Sequence, residues 1–556
     1  MTTPEPSGGE TPGGESSRAA ASGGESSGGE SSRAAASGSE RLGSGARRVS
    51  ALTMLSRLLG LAREQIFALT LGAGVYSDAF LAAFRIPNLL RDLFAEGALS
   101  TAFVPTYVAT LRRESRAAAH ALANRVMSTL TIYLGAVALL AMFFPAPVVH
   151  LVAGGFSPEK SALCASLVRI MMPFLPTVSL AVVAMGALNA EEKYTAPALA
   201  SSMFNLVAIA GGAVVYFVGP SARLAVTCWA TFTLAGGLAQ LAIQVPPLWR
   251  SGFRPHLLPD LKLRDPGTRR IAMLMAPATL GVAAMQVNVV VNSSFASLIS
   301  DGALSWLSYA FRLMQLPIGV FGVAVGTTAL THLSRDAARD DWDALRATLR
   351  RGLRMVLFLT VPSTVGLALL GVPIIRLIFQ HGRFSQHATL ETARALSGYA
   401  VGLVAYAAIK VVVPAFYALG RTRVPVMASV TAVVVNLIWN VATFRRFGHV
   451  GLALGTSLAA LVNFFVLVLI FQRQIRGLVT RDLVIPLLRI LAAAGVMAAV
   501  VWLISARIET WPGAGTAMFA IKAFVPIGVG AAVYLATARL FGVDEARGFS
   551  RLLRRR

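Results

Sequence analysis

The chain has 556 residues, 55% of them hydrophobic and only 14% charged, and its mean hydropathy is +0.66. That excludes an ordinary soluble protein of this length, which would carry more charge and would sort apolar from polar residues at helix or strand period. The net charge of +24 would suggest nucleic acid in a soluble chain, but basic residues of a membrane protein crowd its cytoplasmic loops. Cys164 and Cys228 lie in apolar segments at no ligand spacing, and read as small core residues without a disulfide or metal role.

Residues 1–46 form a Gly/Ser/Glu/Ala tail in which "GGESSRAAASG" occurs twice. With almost no aliphatic bulk it cannot bury a core, and disorder is expected. It lacks the apolar stretch of a signal peptide, so the first membrane helix must act as its own insertion signal. Beyond it, apolar runs long enough to cross a hydrocarbon core recur. The reading is an all-α polytopic membrane protein with about fourteen spans, near 47–72, 77–107, 124–153, 162–189, 196–219, 223–248, 271–299, 303–333, 350–379, 389–418, 425–444, 449–472, 484–506 and 518–540. Loops after even-numbered spans are basic ("LRRESRAAAHALANR", "RSGFRPHLLPDLKLRDPGTRR", "QRQIRGLVTR") and those after odd-numbered spans are not ("GAGVYSD", "SDGA"). Both termini are therefore expected in the cytoplasm, and nucleic acid is not needed to explain the basicity.

Spans two and eight resemble each other. "AFRIPNLLRDLFAEGALSTAFVPTY" from Ala83 aligns with "AFRLMQLPIGVFGVAVGTTALTHLS" from Ala310, sharing Ala-Phe-Arg, a nearby proline and Phe94 against Phe321. Six spans separate them, so the two copies run parallel, as in transporters built of two six-helix lobes; chance likeness of apolar helices is the alternative. The expected division is a tail (1–46), an N-lobe (47–250), a C-lobe (251–475) related to it by a pseudo-two-fold, and two C-terminal helices with a basic cytoplasmic end (476–556).

The second span is unusually charged. Asp78, Arg85, Asp92 and Glu96 follow at steps of 7, 7 and 4, which return to one helical face and stretch about 27 Å. Pro87 should kink that helix. Charge near the bilayer centre costs on the order of 2.5–3.5 kcal/mol, so the stripe must face the bundle interior. Span one adds Arg57, Arg63 and Glu64. A structural salt-bridge network between the two helices would account for the balanced charges there. Against it stand Arg312 and Lys410 in spans eight and ten, with no acid within those stretches and Glu391 only near the outer end of the tenth. An interior with surplus positive charge suits an anion, and arginine binds phosphate oxygens bidentately while keeping its charge. Arg57, Arg63, Arg91 and Arg312 are thus the candidate phosphate or diphosphate ligands. No lysine follows a glycine, so no P-loop hydrolyses nucleotide. Asn288, Asn292, Asn436, Asn440 and Thr456 could hold a cation, although interhelical hydrogen bonds are the commoner use of such amides. His381 and His387 read as loop residues.

"SRLLGLARE", "SDAFLAAFRIPNLLRDLFAEGALSTAFVPTY", "SWLSYAFRLMQLPIGVFGVAVGTTALTHLS" and "FQHGRFS…KVVVPAFYALGRTRVP" resemble the lipid II flippase (MurJ, or MviN) family of the multidrug/oligosaccharidyl-lipid/polysaccharide exporter superfamily. The resemblance runs from about residue 47 to the end. It implies two six-helix lobes around a cationic cavity, and a hydrophobic groove on the last two helices for a lipid tail. The cargo it implies is the undecaprenyl-diphosphate-linked peptidoglycan precursor, moved from the cytoplasmic to the periplasmic leaflet of the bacterial plasma membrane. Carried over by position, Arg57, Arg63, Arg91 and Arg312 are the essential arginines, Ser305 is a cavity serine, and Asp78 and Glu96 serve gating. Some members bind sodium through positions matching Asn292, Asn436, Asn440, Leu452 and Thr456; here amides, Asn292 and Asn440, replace the carboxylates. Gln315 likewise stands where relatives often carry an acid.

The expected mechanism is alternating access without a cofactor beyond sodium coupling: the arginines hold the diphosphate, and acid–base pairs on span two, Arg85 and Asp92 included, work the gates. Lipid II, membrane lipid and the peptidoglycan-synthesis machinery are the expected partners. Another exporter of the superfamily, carrying drugs or other lipid-linked sugars, should show an acidic cation site and twelve spans. A membrane glycosyltransferase would need a large loop with a catalytic acidic cluster.

Overall fold

A computed structural model describes residues 51–93, 98–513 and 515–548. The chain divides into two units, Met1–Leu52 and Thr53–Arg556, and the second holds the helical bundle. The tail, and Glu96 with its neighbours Phe94 and Gly97, lie outside the described residues. No strand occurs among the described residues, as expected of an apolar chain that must satisfy its backbone internally in lipid.

Helix α1 (53–71) is followed by α2 (Val75–Arg91), α3 (Ala98–Arg113), α4 (Arg116–Phe143), α5 (Pro145–Ala153), α6 (Pro158–Met171), α7 (Phe174–Ala190), α8 (Thr195–Val218), α9 (Ala222–Ala242) and α10 (Val245–Arg250). An extended linker, 251–265, leads to α11 (Pro266–Ser297), α12 (Ala303–Pro317), α13 (Val323–Ala338), α14 (Trp342–Leu369), α15 (Gly371–Phe379), α16 (Gln386–Ala418), α17 (Arg423–Ile475), α18 (Arg481–Glu509) and α19 (Thr516–Leu540). Side-chain oxygens of Ser115, Ser157, Ser221, Asp265, Asp341 and Ser385 cap α4, α6, α9, α11, α14 and α16 by accepting an otherwise orphaned amide.

Among the described residues, ten helical segments are long and apolar enough to cross a membrane. They cover expected spans three to six and eight to fourteen, and spans eleven and twelve share the 53 residues of α17. Spans 47–72, 77–107 and 271–299 fall outside the ten, so fourteen crossings are not reached by this measure. Within α17 the backbone leaves helical geometry at Gly448 (φ 54°, ψ −140°). Asn436 and Asn440 nevertheless lie against Gly455. A straight helix would hold these residues more than 20 Å apart at about 1.5 Å per residue, so the chain doubles back at Gly448 into two antiparallel arms.

The two repeat copies also share a backbone break. A π-helical turn begins at Asp92, shortly after Pro87, and another occupies Ile318–Gly322 directly after Pro317. Counted from Ala83 and Ala310, the two turns begin nine and eight residues on. Proline removes an amide from the ladder, and the wider turn accommodates the loss. The shared break favours a true internal repeat over chance likeness.

In lipid, helix association depends on close packing and interhelical hydrogen bonds more than on apolar burial. Helices α16 and α17 meet along Gly398 and Gly402. Ser457 Oγ donates 2.7 Å to the Gly398 carbonyl, and a Cβ on Gly402 would stand 2.6 Å from Ser457 Cα. Trp229 packs into the space left by Gly212 and donates 2.9 Å to Thr70 Oγ1, with Phe67 and Phe80 beside it. The last two helices are tied to α14: Tyr534 Oη donates 2.7 Å to the Phe358 carbonyl, and Arg354 pairs with Asp544 at 3.1 Å and Glu545 at 2.7 Å. Gly402→Val should force α16 from α17 at a cost of about 1–3 kcal/mol, read as a lowered melting temperature of the detergent-purified chain. Gly366→Val, where nothing lies within 4 Å of the added carbon, should leave it nearly unchanged.

Candidate functional site, a cluster of arginines beneath a locked end

The arginines sit partway along three helices. On α1, Arg63 places NH2 2.5 Å from Glu64 Oε1, and Arg312 of α12 places its own NH2 3.1 Å from the same oxygen. One buried carboxylate oxygen therefore receives guanidinium groups from before and after the 251–265 linker. Arg63 also lies over the ring of Phe204 at 5.4 Å, a cation–π contact. Arg57 NH1 reaches the Gly319 carbonyl at 3.5 Å, inside the second π turn. Arg91 donates from Nε (3.2 Å) and NH2 (2.8 Å) to Asp92 Oδ1, while Gln286 of α11 donates 3.1 Å to Asp92 Oδ2. Arg85 makes no hydrogen bond or ion pair with another described residue. Arg312 lies within electrostatic reach of both Arg63 and Arg85, and Arg91 of Arg63. Among the described residues, Glu64 takes Arg63 and Arg312 and Asp92 takes Arg91, while Arg57 reaches a carbonyl and Arg85 pairs with no carboxylate. A concentration of like charge on transmembrane helices is stable only facing water, an interior partner or an anion.

Toward the end of the bundle that carries Gly72, the same helices are locked together. Helix α12 begins at Gly302 (φ 96°), which has no side chain to cap it. Asp78 of α2 does so from outside: Oδ2 accepts from Gly302 N (2.7 Å), and Oδ1 from Ser305 N (2.9 Å) and Ser305 Oγ (2.6 Å). A carboxylate at this position satisfies orphan amides and meets the positive end of the helix dipole. Lys160, at the start of α6, is 4% exposed. It places Nζ 2.9 Å from Asp78 and 2.7 Å from Asp301, over the Phe156 ring at 4.1 Å. Tyr309 Oη donates 3.2 Å to the Gly72 carbonyl. Gly72 (φ 69°) and Gly382 (φ 58°) press backbone to backbone: Arg383 N donates 3.0 Å to the Leu69 carbonyl, and a Cβ on either glycine would come within 2.4 Å of a carbonyl oxygen opposite. Gly155 N donates 3.0 Å to Ser297 Oγ.

Away from that end, Arg125 of α4 pairs with Asp265 at the start of α11 at 2.8 Å and Thr279 Oγ1 of α11 donates 3.3 Å to the Leu93 carbonyl, while the polar contacts around Glu191 and Arg346 stay within one half. Tyr107, His120 and Lys193 surround Glu191 at 3.1–3.2 Å. Burial works to raise the Glu191 pKa, but hydrogen bonds from Ser251, Lys193 and His120 and the Lys193 charge hold the carboxyl below its ordinary value. Across the linker, Arg346 and Arg350 donate to the carbonyls of Ile475 and Gly477 at 3.1 Å and 2.6 Å. The bundle is pinned shut across one end.

Several residues stand elsewhere than the sequence suggested. The Asp78–Arg85–Asp92 stripe is not paired within itself: Asp78 bonds Lys160 and α12, and Asp92 bonds Arg91 and Gln286. Ser305 is fully buried, and its hydroxyl bonds Ser77 and Asp78. Arg312, read as lacking an acid, reaches Glu64. Sequence reasoning missed Lys160; its signal was a lone lysine at the mouth of an apolar span.

The amides form their own network. Asn440 Nδ2 donates 2.6 Å to Asn292 Oδ1, Asn436 Nδ2 donates to Asn288 and, at 3.3 Å, to Asn292, and Asn292 Nδ2 donates 3.4 Å to Thr456 Oγ1. Asn436 Oδ1 and Asn440 Oδ1 remain buried without a donor. Both face Gly455, where a Cβ would stand 2.8 Å and 2.5 Å from them. Two orphaned oxygens converging on a position without a side chain fit a hard cation's preference for oxygen ligands, with no carboxylate to add charge.

The family profile described as "Lipid II flippase MurJ" matches residues 67–521. The chain belongs to the MurJ lipid II flippase family. It is 36% identical over 430 residues to the lipid II flippase MurJ of Burkholderia cenocepacia, covering 77% of this chain and 83% of that protein. It is 33% identical over 505 residues to the probable lipid II flippase MurJ of Vibrio cholerae, covering 89% and 95%. Its fold matches a solved "Lipid II flippase MurJ, inward closed conformation" with a TM-score of 0.75 at 27% identity, covering 89% of this chain and 99% of that one. An inward-facing MATE transporter of the MOP superfamily, 17% identical with a TM-score of 0.61 over 78% and 98%, shares the fold.

Removing Lys160 would leave Asp78 buried with its ion pair broken, a change worth about 3–5 kcal/mol in buried pairs. Lys160→Met should open the end carrying Asp78. A cysteine introduced at Ala303 should then label with a membrane-impermeant maleimide several-fold faster than in the parent chain, and Lys160→Arg should restore much of the protection.

Proposed function

We propose that this chain is a lipid II flippase of the bacterial plasma membrane. It carries the undecaprenyl-diphosphate-linked peptidoglycan precursor from the cytoplasmic to the periplasmic leaflet by alternating access. The observation that carries this reading is that Arg63 and Arg312, from either side of the linker, meet on one Glu64 oxygen with Arg85 within electrostatic reach, on helices whose far ends are locked together. The precursor bears its negative charge on a diphosphate, which arginine forks bind bidentately. Phosphate oxygens entering the cluster would compete with Glu64 for Arg63 and Arg312. Because those arginines sit on either side of the linker, the cargo can draw both halves together there, as Glu64 now does.

Both termini are cytoplasmic in this proposal, from the basic loops, which places the Asp78 lock on the periplasmic side and the arginines in a cleft reached from the cytoplasm. Helices before the linker (47–250) and after it (251–475) act as the rocking lobes, and α18 with α19 lies along the lipid chain. Asp78, Ser305 and Lys160 hold the outer gate; Arg85, Asp92 and Glu96 work at the inner one. Outward exposure requires Asp78 to release α12, after which the orphan amides and Lys160 are solvated from the periplasm. Enzymes that consume the precursor at the outer face are the expected functional partners. Asn292, Asn436, Asn440 and Thr456 would hold sodium, whose binding supplies charge that favours one arrangement of α11 against the α17 arms.

Depletion of the host's own flippase, complemented by variants expressed at normal membrane levels, tests the site. Arg312→Ala and Arg57→Ala should each fail to sustain growth and outer-leaflet precursor, and survival of both would sink the cationic-cleft model. Sodium coupling is tested separately: Asn440→Asp should strengthen sodium-dependent thermal stabilisation of the purified chain, and identical melting in sodium and in choline for both forms would remove the ion from the mechanism.

A further inference from the structure

The 251–265 linker is not a simple tether. From Arg254 to Leu261 it runs along α4, whose polar side chains satisfy its backbone one after another. Asn124 Nδ2 donates 2.9 Å to the Arg254 carbonyl, and its Oδ1 accepts from His256 N at 3.1 Å; Ser128 Oγ donates 3.3 Å to the His256 carbonyl and accepts from Leu258 N at 3.1 Å. Thr129 Oγ1 accepts from Asp260 N at 2.9 Å, and Tyr133 Oη donates 2.8 Å to the Leu261 carbonyl. From Asn124 to Tyr133 is about 13 Å of rise on a membrane-spanning helix. Backbone so satisfied can enter the apolar boundary of a bilayer. Its outward residues suit that place, since Leu257 is 84% exposed and Leu258 and Leu261 are exposed beside it. An extended strip that buries nothing through these leucines in the protein buries them in acyl chains.

At the foot of the strip lies an open surface depression of about 490 Å³ lined by Trp249, Arg250, Arg254 and Pro255. It stands where the apolar segment Ala222–Arg250 ends, which is the level of the headgroups. Trp249 is 53% exposed there, as tryptophans of an interfacial belt are. The nearby acids are engaged elsewhere: Asp265 with Arg125 and the amide of Thr268, Asp260 with the amides of Arg264 and Asp265. Arg254 meets only backbone carbonyls of Trp249 and Phe253, and Arg250 makes no hydrogen bond or ion pair with another described residue. We propose that Trp249, Arg250 and Arg254 bind the phosphate headgroup of an anionic glycerophospholipid, whose acyl chains continue along Leu257, Leu258 and Leu261. The occupant is argued from charge complementarity and from the apolar strip leading away from the depression, a pairing that matches an amphiphile with an anionic head. The bound lipid fastens the segment joining the two halves to the leaflet, apart from the arginine cleft.

The purified full chain in mixed micelles, examined by native mass spectrometry, should retain phosphatidylglycerol over phosphatidylcholine. The double variant Arg250→Gln/Arg254→Gln should lose roughly 30-fold of that preference, from the attraction each arginine exerts on an anionic headgroup. Undiminished preference in the double variant overturns the proposal. A readout on the unaltered site uses brominated lipids. The part of the tryptophan fluorescence that disappears in Trp249→Phe should be quenched more strongly by brominated phosphatidylglycerol than by brominated phosphatidylcholine. Equal quenching leaves an apolar contact without a headgroup site and overturns the proposal, whatever the fate of the double variant. Displacement of phosphatidylglycerol by an equimolar polyprenyl-diphosphate sugar would make the depression a station for cargo and overturn the proposal as well.

Discussion

A helix that begins with a glycine has nothing of its own to offer its first amides, and α12 begins that way. Asp78, from a helix on the other side of the linker, supplies the missing acceptor with both of its oxygens. In water this would be a modest interaction; beneath a layer of packed side chains it decides whether two amides and a carboxylate are satisfied or stranded. Lys160 makes the arrangement tolerable by neutralising the carboxylate, and Asp301 occupies the ammonium's other side. Glycine contacts at Gly72 and Gly382, where backbones touch with no room for a methyl group, depend on the same closure. The polar logic and the shape of the outer end therefore rise and fall together.

The lock and the arginines share helices. Asp78 and Arg85 are on α2, Ser305 and Arg312 on α12, two turns apart in each case. A rigid stretch of helix ties the position of each guanidinium to the state of the outer end, so charge introduced among the arginines acts on α2 and α12 and, through them, on the lock. Glu64 keeps the present arrangement together by bonding Arg63 and Arg312 at once. It is the anion that holds arginines from both sides of the linker on one oxygen.

Much of this was legible in the sequence because it depends on composition and spacing. Apolar runs marked the spans, charge within them marked the cleft arginines, and the Ala83 and Ala310 copies foretold comparable breaks. What periodicity could not supply was partners. A seven-residue step says that Asp78, Arg85 and Asp92 face one way; it does not say that Lys160, Arg91 and Gln286 are waiting there. Ser305 was placed with the arginines through family position alone, and the geometry puts it with Asp78. The amide cluster was visible as four asparagines at helical spacing, but the two oxygens left without donors emerge only from how α11 meets the doubled-back arms of α17.

The π turn after Pro317 bears on the eighth span. Each hydrogen-bonded turn of this kind holds one residue more than an α-helical turn, and at 3.6 residues per turn one residue is about 100° of rotation. Residues beyond Gly322 on the eighth span are therefore out of angular phase with those before Ile318. The stretch before that turn carries both Ser305, bonded to Asp78, and Arg312, bonded to Glu64, while the stretch after it turns a different face to the bundle. A single span can thus turn a second face to the bundle with a change of phase in place of a hinge.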